Sequence, residues 1–191
     1  ENSNIDIVQE GKVYNISDIR IRSIEGSKEI NSIYFNDSKA YLSCGLGIVV
    51  LDLKRKEIYD TYYVGENSSK IKVYAATIND TSIFAASVNG LLYAPKNSTA
   101  LAASQTWKKL PNIANKGKDN LEITNLLSLG NGKILITLPI AETTFCDVYT
   151  FDGENWTNIF EKKYIKALRL SEGKLIKIAY RSLNIYDVNN L

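Results

Sequence analysis

The residues able to do chemistry are few and widely spaced. The chain has no histidine, which removes imidazole acid–base catalysis, Ser-His-Asp and Cys-His triads, and every histidine-containing zinc site. Its two cysteines, Cys44 and Cys146, are too few for a four-thiolate zinc site or an iron–sulfur cluster. They make no disulfide framework either and are read as two buried thiols. Gly45-Leu46-Gly47 is half of a dinucleotide fingerprint. That fingerprint opens a helix, whereas Ile48-Val49-Val50-Leu51 is strand-like, so a turn between strands is expected. Asp147, Asp152, Glu154 and Asn155 could offer oxygens to calcium, but the EF-hand order of acids with its closing glutamate is absent. Phe151-Asp152-Gly153-Glu154-Asn155-Trp156 reads instead as a hairpin. No carboxyl, amine or phenol pair stands at a spacing that indicates acid–base work. The expectation is a non-enzyme, with no catalytic residue, metal site or cofactor.

Aromatic and basic residues offer binding chemistry. Trp107 and Trp156 occupy matched positions where a strand begins; a sugar-stacking platform is conceivable, and a repeated packing role is the plainer reading. Tyr59, Tyr62 and Tyr63 share one strand, where strict alternation predicts Tyr59 and Tyr63 on one face and Tyr62 on the other. Lys54-Arg55-Lys56 is a cationic hairpin tip that discourages edge pairing or meets an anionic glycan or lipid phosphate. In bulk, 23 basic residues face 21 acidic ones, for a net charge of +2 over 191 residues. That balance supplies no field for nucleic acid or a membrane surface. With 45% hydrophobic and 23% charged residues the composition is globular. No apolar run reaches the 18 or so residues of a membrane span. The chain begins at Glu1 and lacks methionine, so a processed chain or a fragment is expected, and a signal peptide could have been removed.

The elements that must position these residues emerge from internal repetition. Asn36-Asp37, Asn79-Asp80, Asn131-Gly132 and Glu172-Gly173 each follow an apolar run: Ile30 to Phe35, Val73 to Ile78, Ile123 to Leu129, and Ile165 to Leu170. Asn-Asp, Asn-Gly and Glu-Gly between β-rich runs mark tight hairpins. A second strand, a turn and a third strand follow in each unit. A fourth closes three of them: Glu57 to Val64, Trp107 to Leu110, and Trp156 to Phe160. Four short strands repeated at roughly 40–50 residues predict an all-β fold, a β-propeller segment of four-stranded antiparallel blades. Ala100 to Ser104 is the best helical candidate and falls in a loop between third and fourth strands. Ile5 to Val8 and Lys12 to Ile16, about Glu10-Gly11, read as third and fourth strands without their first two partners. The expected division is a partial blade over 4–29, blades over 30–70, 71–120 and 121–163, and a partial blade over 164–191, all one segment of a longer protein. Covering the two open ends falls to the rest of the polypeptide, then to self-association. The third route is a four-blade ring in which Lys12 to Ile16 lies beside Leu183 to Val188.

Val13-Tyr14-Asn15-Ile16-Ser17-Asp18, Gly47-Ile48-Val49-Val50-Leu51-Asp52-Leu53, Lys56-Glu57-Ile58 and Asp60-Thr61-Tyr62-Tyr63-Val64-Gly65 resemble the first β-propeller of PorZ-like proteins. These are large secreted proteins of Bacteroidetes associated with the type IX (Por) secretion system. The resemblance implies a second propeller and a sandwich domain downstream and an extracytoplasmic location at the periplasm or outer-membrane surface. The partners it implies are other protein subunits or the remaining domains of the same polypeptide, with lipopolysaccharide or oligosaccharide as ligand. The runner-up resemblance is to glycan-sensing periplasmic propellers of hybrid two-component regulators; a propeller enzyme acting on glycans comes third. In a bacterial setting the Asn-x-Ser/Thr sequons at Asn15, Asn36, Asn67, Asn79, Asn97 and Asn155 are coincidences of asparagine-rich turns. A propeller gathers its second-to-third-strand turns and its blade connectors at one end. Position alone therefore nominates Glu66, Asn67, Asn89, Lys116, Lys118, Glu142, Thr143 and Arg181 as contacts for a ligand or partner.

Overall fold

The computed structural model describes residues 4–17, 27–116 and 122–191. Among them are only β-strands and short 3₁₀ turns, with no α-helix. β1 (Ile5–Gln9) and β2 (Lys12–Ile16) form a two-stranded hairpin. The first complete blade holds β3 (Ile30–Asn36), β4 (Lys39–Cys44), β5 (Gly47–Asp52) and β6 (Glu57–Tyr62). The second holds β7 (Val73–Ile78), β8 (Ser82–Ser87), β9 (Gly90–Pro95) and β10 (Lys108–Lys109). The third holds β11 (Asn125–Ser128), β12 (Ile134–Pro139), β13 (Cys146–Phe151) and β14 (Trp156–Lys163). A three-stranded sheet of β15 (Ala167–Ser171), β16 (Lys174–Ile178) and β17 (Leu183–Asp187) follows. Every pairing is antiparallel and sequential, and β7 packs against both β3 and β11. The fold is a β-propeller.

Stacking explains why the middle strands are buried almost end to end. Alternate side chains leave opposite faces of a strand, and here each face meets a different neighbour. Val49 and Leu51 pack with Ile16, Ile5 and Ile7 toward the N-terminal hairpin. Ile48 and Val50 pack with Val73, Ile83 and Trp107 toward the second blade. Phe84 and Ala86 continue the pattern into the third blade with Ile134 and Ile136. Leu135 and Val148 carry it on to Leu168 and Leu175. Asparagines at the first-to-second-strand turns tie blades together at the main chain. Asn79 Nδ2 donates to Gly132 O at 2.7 Å, and Asn131 Nδ2 to Val188 O at 3.2 Å.

Three details depart from simple periodicity. The register slips between Val50 and Leu51, so Tyr59 has no cross-strand partner in β5. This bulge reverses the expected parity. Tyr59 lies under Lys39 Nζ at 3.6 Å and shares the Tyr62 face, while Tyr63 packs on the other face with Val49 and Leu51. The fourth strand of the second blade shrinks to Lys108–Lys109, because the chain first makes a long excursion over residues 96–107. The excursion carries a 3₁₀ turn at Ser104–Thr106. Finally, β2 pairs only with β1, and β17 only with β16. The four-blade ring is therefore not formed, and the described blades make an open arc.

Candidate functional site

The turns between second and third strands and the connectors between blades lie at one end of the arc, as the antiparallel order dictates. Asn89, exposed in the β8–β9 turn, donates its N–H to Ser87 Oγ at 3.1 Å. The longer β12–β13 turn holds itself together: Thr143 Oγ1 donates to Ile140 O at 2.9 Å and accepts from the Phe145 N–H at 3.1 Å. Glu142 stands exposed in that turn with a φ of 60°. Arg181 lies over the Tyr180 ring, 5.4 Å from its centroid, and Tyr180 meets Tyr164 edge-on at 6.4 Å. Tyr180 is 78% exposed. This Tyr164–Tyr180–Arg181 cluster joins a connector to a turn of the next sheet, with exposed Phe145 at the same end. Its aromatics were not nominated from the sequence. The available signal was a tyrosine directly beyond the apolar alternation of β16, at a turn position where packing does not require it.

Other nominated residues sit on the connectors between blades. Glu66 and Asn67 sit in a 3₁₀ turn, Asn67 with a left-handed φ of 53°. That turn docks on the excursion of the second blade, where the Ser68 N–H donates to Ser104 Oγ at 3.0 Å. Lys116, still exposed, lies across β13: its Nζ is 3.5 Å from Asp147 Oδ2 and 5.6 Å from the Tyr149 ring centroid. Its hydrogen bond to Tyr149, helped by Asp147, raises the lysine above its ordinary range. Asp147 also accepts the Lys162 N–H at 2.9 Å, so one buried carboxylate ties the connector that enters the third blade to the end of its fourth strand. Lys118 lies outside the described residues. Among the described residues, no hydrogen bond or ion pair joins two of the nominated positions.

The remaining candidates resolve into architecture. Trp107 is 7% exposed and packs against Tyr62 of the preceding blade, its Nε1–H donating to Leu101 O at 2.9 Å. Trp156 is half-buried on Phe151, with centroids 4.7 Å apart. The basic tip is partly spent: Arg55 pairs with Glu57 at 3.5 Å, and Lys56 lies over the Tyr14 ring at 3.7 Å. Asp52, the last residue of β5, and Asp152, the first residue beyond β13, accept two backbone N–H groups each, and Asp187 accepts one. Those bonds, before any nearby lysine, hold all three carboxyls below their ordinary value. No group of three Cys, Asp or Glu suited to a metal occurs among the described residues. Burial pushes the Cys44 thiol up to about 12. Cys44 and Cys146 are free thiols in different packing clusters.

Residues 1–108 match the family described as "TSS9, PorZ, N-terminal beta-propeller domain". The chain belongs to this PorZ family. Among solved structures, PorZ of Porphyromonas gingivalis, described as an essential bacterial surface component of the type IX secretion system, superimposes with a TM-score of 0.70 at 20% identity. The match covers 97% of this chain and 25% of that one, so the chain spans about a quarter of the PorZ polypeptide. An extracellular domain described as that of a hybrid two-component system from B. thetaiotaomicron matches with a TM-score of 0.61 at 9% identity, over 99% of this chain and 26% of that one. The WD40 domain of Neurospora crassa Pan2 matches at 0.56 and 10% identity, over 98% of this chain and 57% of that one. At such identities these structures share the fold alone. No curated protein matches the sequence.

Proposed function

We propose that this PorZ-family propeller is a non-catalytic binding and assembly module, working extracytoplasmically at the bacterial cell envelope within a type IX secretion apparatus. The observation that carries this reading is the family match over residues 1–108. The geometry supports a mechanism of display. Blade faces are consumed by packing, while the loop end presents Asn89, Glu142, Thr143 and Arg181 on a rigid scaffold, together with Tyr180. Flat aromatic faces beside cations and amides suit protein surfaces and sugars alike. Glu66, Asn67, Lys116 and Lys118 belong to the connectors that frame that end. Partners are other subunits or the remaining domains of the same polypeptide, and the ligand class is lipopolysaccharide or oligosaccharide.

The test is genetic. Removing the gene's propeller segment in its host should trap type IX cargo in the periplasm. A full-length variant carrying Tyr180→Ala and Arg181→Ala should fold normally and reproduce part of that defect. Normal cargo export after the deletion refutes the reading. A second reading, an ectodomain of a two-component regulator, draws support from the likeness to the B. thetaiotaomicron domain. It predicts a transcriptional response to added polysaccharide that the deletion abolishes, with export intact.

A further inference from the structure

Three aromatic side chains stand exposed at the loop end, where blade packing does not use them: Phe145 is 46%, Tyr164 37% and Tyr180 78% exposed. The main chain gathers them. Cys146 pairs with Lys163, which sets the β12–β13 turn beside the end of β14. The Lys166 N–H donates to Ile178 O at 2.8 Å, which sets the following connector beside the β16–β17 turn. Tyr164 then meets Tyr180 edge-on at 6.4 Å. The repeat shows that a following blade does not bury such a turn. Val88, at the tip of the β8–β9 turn, is 48% exposed with the third blade packed beside it, and Phe145 is exposed although its own blade packs on both sides. Cations flank the aromatic tips. Lys163, Lys166 and Arg181 are exposed and, among the described residues, enter no ion pair. Arg181 lies over the Tyr180 ring instead. Against these three cations, residues 140–145, 163–166 and 179–182 hold a single carboxylate, Glu142.

We propose that this patch docks an acidic segment of a partner protein, whose apolar side chains cover Phe145 and Tyr180 and whose carboxylates meet Lys163, Lys166 and Arg181. The inference rests on the reading of the propeller as a binding module and names the chemistry of its partner. Charge complementarity sets the sign of the occupant. Lysine and arginine only donate hydrogen bonds, so three unpaired cations call for a surface rich in carboxylate acceptors. Arg181, lying over Tyr180, is a planar fork suited to a carboxylate. Tyrosine and arginine are also the side chains that dominate protein–protein contacts. A neutral sugar fits less well, because its hydroxyls donate as well as accept and Glu142 alone would receive them from a charged group. A membrane surface fits less well too. It is recognised through a field summed over many charges, and the chain carries a net charge of only +2. Three cations gathered about three aromatic tips suit a discrete partner instead.

The test is photo-cross-linking in the host. Tyr180 is replaced by p-benzoylphenylalanine in the full-length polypeptide, the cells are irradiated, and the linked peptides are identified by mass. The expected product is a link to a peptide of another protein that carries more Asp and Glu than Lys and Arg, together with apolar side chains. In the same background Lys163→Glu with Arg181→Glu should cut the yield about tenfold, through lost attraction and added repulsion. Lys54→Glu with Lys96→Glu makes the same change of charge at exposed positions of the opposite end and should leave the yield unaltered. A link to lipid or glycan, to a basic or neutral peptide, or to this polypeptide itself overturns the proposal. So does the absence of any link, or a yield indifferent to reversal at Lys163 and Arg181. Should the Tyr180 variant fail to fold, the same group at Phe145 answers the question by the same outcomes. Cargo export, scored separately, keeps the two readings apart. An acidic link with export unharmed by loss of the propeller upholds the docking and refutes the secretion role; export lost with no such link does the reverse.

Discussion

Matched tryptophans with unequal environments allow the blade-stacking account to be tested quantitatively. Trp107→Ala removes a side chain that is 7% exposed, seated between two blades against Tyr62. An aromatic of this size buries roughly 200 Å², and at about 25 cal/mol per Å² the transfer contribution is at most about 5 kcal/mol. Measured Trp→Ala costs in cores run about 3–5 kcal/mol. Each kcal/mol moves the melting temperature of a chain of this length by about 2–4 °C, so a fall of roughly 6–20 °C is expected. Trp156 is half-buried on its own blade, and Trp156→Ala should cost about half as much. Trp107→Phe keeps the ring but leaves Leu101 O without its donor, a loss of about 1–2 kcal/mol. Urea and thermal unfolding of the four proteins, followed by fluorescence and circular dichroism, give the comparison. Equal costs at the two tryptophans, or a Trp107→Ala cost under about 1 kcal/mol, would show that the blades do not stack through this residue.

Thiol titration of the native protein should modify Cys146 first. The Cys44 thiol, held at about 12, is almost wholly protonated at pH 8 and should react only on unfolding, when two thiols are counted. Because that folded value exceeds the ordinary 9.0, the stability Cys44 contributes is complete below pH 9 and is lost as pH rises toward 12. Asp52, Asp152 and Asp187 should titrate below 3.8 by carbon-13 NMR. Their depressed values mean that the turn stability they supply is present above 3.8 and disappears as pH falls through the folded values. Gly47→Ala places a methyl group against Tyr62 O at a φ of 131°; a loss of roughly 2 kcal/mol or more in urea unfolding is expected, and an unchanged midpoint would contradict the close strand approach there.

The hairpin skeleton was legible because it is written locally. Asn36-Asp37, Asn79-Asp80 and Glu172-Gly173 need only adjacent residues to turn a chain, and runs such as Ile134 to Leu138 announce a strand covered on both faces. What escaped the sequence depends on partners far along the chain. The bulge at Tyr59 is a mismatch in residue number between β5 and β6, invisible in either strand alone. Lys116 looks like any loop lysine until β13 brings Asp147 to it from 31 residues away. The second blade shows the same logic in reverse. Where its neighbours have Asp52 at the end of the third strand or Asp152 just beyond it, whose carboxylates close a short turn, this blade has Pro95. Proline cannot supply that carboxylate, and the chain instead runs on through residues 96–107 before β10 forms. The excursion provides Ser104 to receive the Ser68 N–H, which draws the Glu66–Ser68 connector onto the side of the blade. A single departure from the repeat thus decides where two nominated contact residues stand. For this family fold, the loops that could carry specificity are best sought where a blade breaks its own pattern.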